Sequence, residues 1–160
     1  MRKPFNLCCN LFLGLLLAAP LWPQTGGPHV VSAQAVPGLA GKRGSTLEVP
    51  LKVTIRPGYH INSNRPAEDY LIPTVLDWES EHVTVQGVTY PKAESVRYEF
   101  SEKPLLVYSG TVTIVSRLSV AANAPSAPAT LNGKLRYQAC TDKMCLAPRT
   151  LDVSVPIRIE

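Results

Sequence analysis

Residues 46–55 have the sequence Thr-Leu-Glu-Val-Pro-Leu-Lys-Val-Thr-Ile, in which apolar and polar side chains alternate. Successive side chains of a β-strand point to opposite faces of a sheet, so this alternation places one apolar row on one face. The row comprises Leu47, Val49, Leu51, Val53 and Ile55. The stretch therefore predicts a strand with one buried face. Pro50 within it indicates an edge strand or a bulge, because proline lacks the backbone N–H that a ladder uses.

Further short stretches have the same character, and turn-forming residues separate them. Asn132-Gly133 is one such turn signal, and no window carries a sustained helical period. The other predicted strands are 29–36, 74–78, 82–90, 105–108, 111–121, 130–139 and 149–159. Many short strands without helices predict an all-β, immunoglobulin-like antiparallel β-sandwich that occupies residues 29–160. We expect Trp78 to fill its core.

The N-terminus has the build of a secretory signal peptide. Arg2 and Lys3 precede a short uncharged apolar run at residues 11–19, which is too short to span a bilayer comfortably. We predict a signal peptide over residues 1–28, with cleavage somewhere in 19–35 and preferably in 19–28. An uncleaved anchor and a lipoprotein are the alternatives. The sequence therefore predicts an exported protein.

The charge of the mature domain excludes some classes of partner. The chain has 16 Lys and Arg against 12 Asp and Glu. Loss of Arg2 and Lys3 with the signal peptide leaves a net charge of about +2, which is too small to indicate nucleic-acid binding. The histidines His29 and His82 have no metal-ligand spacing and are expected at the surface. The histidines therefore indicate no metal site, and we predict no cofactor other than a disulfide.

Cys140 and Cys145 are the two cysteines expected to remain after export, and four residues separate them. If residues 141–144 connect two antiparallel segments, the cysteines face each other with Cα atoms roughly 4.5–5.5 Å apart, within disulfide reach. Such a pair can be a structural staple, a redox-active dithiol or, with Met144, a Cu(I) site.

The small size of the ring helps to weigh these alternatives. Closing a six-residue ring stabilises a fold by only about 2 kcal/mol. A domain of about 130 residues has core enough to fold without such help. The spacing therefore favours a reversible pair, while the staple and the metal site stay open.

Several segments resemble the N-terminal periplasmic domain of the thiol:disulfide interchange protein DsbD. The segments are Tyr137-Gln138-Ala139-Cys140, Cys145-Leu146-Ala147-Pro148, Gly58-Tyr59-His60-Ile61-Asn62-Ser63-Asn64-Arg65-Pro66, Ile72-Pro73-Thr74 and Val88-Thr89-Tyr90-Pro91. They occur in the family's order over residues 29–160. Ala147 departs from the family pattern, which often has a second proline there.

The resemblance implies a periplasmic thiol–disulfide exchange protein whose Cys140–Cys145 pair passes electrons to or from thioredoxin-like partners. A separately encoded membrane electron-transporter domain would supply the reductant. The resemblance also implies a cap loop over the cysteines at residues 94–102, with Tyr98 or Phe100 shielding the sulfurs.

Four further residues match family positions near the cysteines: Tyr59, His60, Tyr137 and Gln138. Of these, His60 is a candidate to help deprotonate a thiol. The competing class is a non-enzymatic, secreted β-sandwich binding module, in which the cysteine pair is a structural disulfide or a Cu(I) site.

Overall fold

The computed structural model describes residues 29–160. The predicted signal peptide lies outside these residues and stays a prediction. Between residues 29 and 160 the chain forms twelve strands and no helix, and so no helix that could cross a membrane. The strands are β1 (Val31–Ala35), β2 (Leu39–Gly41), β3 (Thr46–Ile55), β4 (His60–Asn62), β5 (Val75–Glu79), β6 (Val83–Thr89), β7 (Glu94–Val96), β8 (Leu105–Ser109), β9 (Thr111–Val120), β10 (Pro128–Tyr137), β11 (Ala139–Cys140) and β12 (Arg149–Ile159).

Two four-stranded sheets form a sandwich. The first has the order β1-β3-β9-β6, and all its pairs are antiparallel. The second has the order β2-β12-β10-β5, in which only the β2–β12 pair is parallel. The predicted all-β, immunoglobulin-like sandwich is therefore confirmed.

The predicted apolar row of residues 46–55 lies in the core. Leu47 is 5% exposed and Ile55 is 1% exposed, and the three residues between them in the row are fully buried. Each such side chain contributes roughly 1.5–3 kcal/mol through removal of apolar surface from water. The alternation along β3 therefore provides much of the free energy that holds the two sheets together.

Pro50 does not mark an edge strand, because β3 lies between β1 and β9. The β1 ladder stops at the pair Ala35–Leu51, whereas the β9 ladder continues past it and pairs Pro50 with Val115. Neither ladder of β3 contains a bulge. Proline is tolerated here because this part of an interior strand has only one strand neighbour.

Trp78 occupies a different place from the one predicted. It lies half-buried on the edge strand β5, packed against the margin of the core. Its indole Nε1 donates a 2.8 Å hydrogen bond to the buried Ser116 Oγ of β9, and this bond joins the two sheets. The ring covers Gly133, where an added Cβ would lie 2.7 Å from Trp78 Cε3. Asn132-Gly133 is thus part of β10 and not a turn, and the glycine is needed for close approach of the ring.

A third, smaller sheet of order β11-β4-β8-β7 lies at one end of the sandwich. Its strands continue long strands of the main sheets: β4 follows β3, β8 precedes β9, and β11 follows β10 after the single residue Gln138. Gly58 and Gly110 lie at two of these corners with φ of 84° and 61°, a backbone region that favours glycine. Both cysteines lie at this end of the molecule.

Candidate functional site

The two cysteines lie opposite each other in a tight hairpin that extends from β11. Leu146 N–H donates to the Ala139 carbonyl at 2.8 Å, and Thr141 N–H donates to the Met144 carbonyl at 2.8 Å. Between these two hydrogen-bonded pairs, Cys140 and Cys145 form the antiparallel pair. Side chains approach most closely at such a position. The cysteines form a disulfide there, with Cα atoms 3.9 Å apart, somewhat closer than the spacing predicted.

Thr141 holds the tip of this hairpin closed. Its Oγ1 accepts hydrogen bonds from the amides of Lys143 at 3.3 Å and Met144 at 3.2 Å. A threonine hydroxyl that accepts from amides two and three residues later stabilises a turn locally. The predicted four-residue connection is therefore a two-residue tip, Asp142-Lys143, closed by the flanking residues.

The two sulfur-bearing residues differ in exposure. Cys140 is fully buried, whereas Cys145 is half-buried. Met144, the third ligand in the Cu(I) alternative, is 60% exposed. Among residues 29–160, no group of three or more His, Cys, Asp or Glu side chains is arranged to hold a metal ion. Of the two cysteines, Cys145 is therefore the one that a reactant from solution approaches more easily.

His60, which matches a family position near the cysteines, lies on the strand that faces Cys140. In the β4–β11 ladder it is the direct partner of Cys140. The side chain is 3% exposed, its Nε2 is buried without a hydrogen-bond partner, and burial lowers the pKa of the imidazole. A buried imidazole with a lowered pKa is neutral near pH 7 and has a free capacity to accept a proton.

Tyr98 and Phe100, the predicted cap residues, form a ring stack with His60. The Tyr98 and His60 centroids are 4.2 Å apart, and those of Tyr98 and Phe100 are 5.6 Å apart, with interplanar angles of 15° in both cases. Burial, and secondarily the charge of Glu94, raise the pKa of Tyr98. The stack brings the loop after β7 onto the strand that faces Cys140. Shielding of the sulfurs by this loop stays a prediction.

The side chain of Gln138 forms hydrogen bonds with three segments of the chain. Its Oε1 accepts from Asn62 Nδ2 at 3.1 Å and from Ile72 N–H at 3.3 Å. Its Nε2 donates to the Leu146 carbonyl at 3.2 Å, directly after Cys145. The side chain thus connects β4 and the loop before β5 to the arm that carries Cys145.

Asn62 completes this network, although no pattern in the sequence predicts a role for it. Asn62 Nδ2 also donates to the Ile72 carbonyl at 3.0 Å, and Thr74 Oγ1 donates to the Asn62 carbonyl at 2.6 Å. Asn62 and Ile72 both lie in segments that carry the family resemblance. That resemblance was the only signal in the sequence that could have drawn attention to them.

Tyr59 and Tyr137 lie on the other side of the hairpin from the sulfurs. Ala139 and Leu146 alternate with the cysteines and so project from the opposite face. These residues line a cavity of about 200 Å³ together with Val30, Tyr59, Tyr137, Ala147 and Arg149. Burial raises the pKa of Tyr137, while the charge of Arg149 lowers it. The Tyr137 hydroxyl is buried without a hydrogen-bond partner. Of the four supporting residues, His60 is thus the strand partner of Cys140, and Gln138 binds the residue that follows Cys145.

A comparison with known protein families gives a match over most of the described residues. The family model described as the N-terminal domain of the thiol:disulfide interchange protein DsbD matches residues 30–156. No curated protein matches the chain significantly.

Among solved structures, the N-terminal periplasmic domain of ScsB from Proteus mirabilis is similar, with 16% identity and a TM-score of 0.51 over 80% of this chain. The chain spans 45% of the length of that structure. A cohesin module from Clostridium perfringens, at 13% identity, aligns with 82% of this chain and 98% of its own, with a TM-score of 0.47. At 16% identity, the likeness to the ScsB domain supports the fold alone. The likeness to the cohesin module supports nothing further.

Proposed function

This chain belongs to the family of DsbD N-terminal domains, and from that premise we propose that it is a periplasmic thiol–disulfide exchange protein. In this proposal Cys140 and Cys145 are the redox couple, and thioredoxin-like proteins are the partners with which it exchanges electrons. A membrane electron transporter supplies the reductant. The predicted signal peptide and the family membership support a periplasmic location.

The observation that carries the proposal is the unequal exposure of two cysteines in one closed hairpin. Cys140 is fully buried and Cys145 is half-buried, and their Cα atoms are 3.9 Å apart. Exchange requires an attacking thiolate to reach one sulfur in line with the bond that breaks, so access selects the sulfur. The hairpin offers Cys145 to a partner and retains Cys140 as the internal leaving group.

The chemical step follows from that geometry. A partner thiolate attacks Cys145 Sγ, the Cys140–Cys145 bond breaks, and Cys140 leaves as a thiolate within a mixed-disulfide complex. A second thiol of the partner then attacks the mixed disulfide and releases Cys145. The partner thereby loses two electrons and two protons and becomes a disulfide, and this domain becomes a dithiol. The reverse sequence passes the electrons onward.

We assign His60 a role in moving the proton of Cys140. His60 is the strand partner of Cys140, and its buried Nε2 has no hydrogen-bond partner. Burial lowers the pKa of the imidazole, which is therefore neutral near pH 7, and its role is to take the proton of the Cys140 thiol transiently when the pair is reoxidised. Tyr98 and Phe100 are proposed to cover the pair until a partner displaces the loop. The stack of Tyr98 on His60 supports this assignment, since it anchors the loop beside Cys140.

Two measurements test the proposal. Equilibration of the oxidised domain with glutathione buffers should give a mixture of disulfide and dithiol, whereas a structural disulfide would stay oxidised at potentials down to about −300 mV. The Cys140→Ala variant should form stable mixed disulfides through Cys145 with thioredoxin-like proteins, because the internal resolving thiol is gone. The matched Cys145→Ala variant should trap far less, since Cys140 is buried. Failure of both variants to trap such a protein would exclude the exchange function.

A further inference from the structure

Gln138 stands at the point where the chain leaves one sheet and enters another. It is the single residue between β10 of the main sandwich and β11 of the small sheet. Its side chain is half-buried, and hydrogen bonds of 3.1–3.3 Å join it to Asn62, Ile72 and Leu146. These hydrogen bonds hold the Gln138 side chain in one position, and the side chain in turn restrains the groups that it binds.

The arm that carries Cys145 is held near its tip by hydrogen bonds between Thr141 and Met144, and the Leu146 side chain packs against the core. Ala147 and Pro148 lie outside any strand, and Pro148 has no backbone N–H to donate. Leu146 is held through both of its backbone groups: its N–H bonds to the Ala139 carbonyl at 2.8 Å, and its carbonyl accepts from Gln138 Nε2 at 3.2 Å. Gln138 is therefore the side chain that fixes the arm directly after Cys145.

We propose that Gln138 is a positioning residue that sets the redox equilibrium of the Cys140–Cys145 pair. By holding the Leu146 carbonyl, it keeps the two thiols opposed in the dithiol state, and so favours closure of the disulfide. The inference rests on the proposed function, in that it requires the pair to alternate between disulfide and dithiol. It identifies Gln138 as a residue that determines the reduction potential of the pair.

The physical basis is the effective concentration of one thiol at the other. Closure of a ring is more favourable when its ends are already held together, because less conformational entropy is lost. Loss of the Gln138–Leu146 bond frees the arm in the dithiol, where no covalent bond replaces it, more than in the disulfide. The equilibrium then moves toward the dithiol, and the reduction potential becomes less negative.

The experiment compares the Gln138→Glu variant with the unmodified protein in buffers of reduced and oxidised dithiothreitol. In this exchange the protein dithiol becomes a disulfide and the oxidised dithiothreitol becomes its dithiol. Glutamate keeps the acceptor oxygen for Asn62 and Ile72 but replaces the donor to the Leu146 carbonyl with an oxygen. We expect the equilibrium constant for disulfide formation to fall about tenfold, which is roughly 30 mV for a two-electron couple.

Protonation of the introduced glutamate should restore the lost hydrogen bond. A protonated glutamate has an O–H that can donate to the Leu146 carbonyl. The difference between the variant and the unmodified protein should therefore shrink as the pH falls toward the pKa of the introduced carboxyl. Gln34→Glu is the matched control, because Gln34 is exposed on β1, and it should leave the equilibrium constant unchanged. If Gln138→Glu does not fold, Gln138→Met removes the donor, together with the acceptor oxygen, without introducing a charge.

A purely structural role for Gln138 gives a different result. It would lower the free energy of unfolding equally in the oxidised and reduced forms and leave the redox equilibrium constant unchanged, and this outcome overturns the inference. The trapping experiment with Cys140→Ala separates this failure from failure of the proposed function. Trapping without a shift in the equilibrium removes only the role of Gln138. A shift without trapping leaves that role intact and removes the exchange function.

Discussion

The ring of Tyr98 lies flat on the imidazole of His60, with centroids 4.2 Å apart and planes inclined by 15°. His60 is in turn the strand partner of Cys140. The ring stack therefore attaches the loop after β7 to the strand that faces the buried sulfur, and Tyr98 also packs against the small cluster of Leu71, Leu105 and Val107. Such a stack is worth about 0.5–1.5 kcal/mol, which is weak enough for a partner protein to break.

Replacement of Tyr98 by alanine should speed the reduction of the disulfide by a small dithiol. Loss of the stack frees the loop, and a stacking energy of about 0.5–1.5 kcal/mol corresponds to a roughly two- to tenfold faster reaction. Alkylation of free thiols at timed intervals measures the rate. Tyr98→Phe keeps the ring and should behave like the unmodified protein. Equal rates for Tyr98→Ala and Tyr98→Phe would show that the loop does not guard the sulfurs.

His60 should make the domain less stable in mild acid. Burial lowers its pKa below the ordinary value of 6.5, so between these two values the unfolded chain binds a proton that the folded chain does not. The free energy of unfolding therefore has its full value above pH 6.5. It decreases as the pH falls from 6.5 toward the lowered pKa of the folded state. Urea titrations across this pH range measure the slope.

The His60→Phe variant isolates this effect. Phenylalanine can still stack on Tyr98 but has no proton to bind, so the decline in stability below pH 6.5 should become shallower. His29→Phe, at an exposed position, is the control and should keep the original slope. A His60→Phe slope identical to that of the unmodified protein would contradict the assignment.

Reduction of the disulfide should leave the domain folded. The ring closed by Cys140 and Cys145 spans a sequence separation of 5, and such a ring stabilises by only about 2 kcal/mol in the entropic account. The hairpin bonds of Thr141 and Leu146 do not involve sulfur and are expected to persist. Urea unfolding of the oxidised and reduced forms gives the difference. Unfolding on reduction alone would favour the structural staple.

Gly133→Ala should destabilise the sandwich by about 1–3 kcal/mol, the usual cost of forcing extra volume into a packed site. The new methyl group would lie 2.7 Å from Trp78 Cε3 and 3.0 Å from the Asp77 carbonyl oxygen. Displacement of the indole would also disturb its bond to Ser116. Thermal unfolding measures the loss. Gly87→Ala, where no atom lies within 4 Å of the added Cβ, should be far milder, and equal losses would contradict this account.

The alternating patterns were sufficient to predict the sandwich, because period-two burial is a local property. The row from Leu47 to Ile55 is buried as the pattern requires. Pro50, Trp78 and Gly133 were assigned wrongly for a common reason. The place of each depends on a neighbouring strand, and a sequence pattern does not specify which strands become neighbours.

The candidate site likewise has one part that the sequence predicts and one part that it does not. The opposition of Cys140 and Cys145 follows from their spacing and was predicted. The place of His60 beside Cys140 depends on the pairing of β4 with β11, and Gln138 bonds to residues 66 and 76 positions earlier in the chain. No local pattern specifies contacts at such separations. The family resemblance marked both residues and made His60 a candidate to help deprotonate a thiol, but it gave no physical role to Gln138.

The position of Gln138 between two sheets has a consequence for hydrogen exchange. Its side chain holds the Ile72 amide and the Leu146 carbonyl, while its own carbonyl accepts from the Asn62 amide at 3.3 Å. Opening of the cysteine hairpin therefore loosens the loop before β5 as well, although that loop is remote in sequence. We expect the amides of Asn62, Ile72 and Leu146 to lose protection together, as a single cooperative unit of the native state.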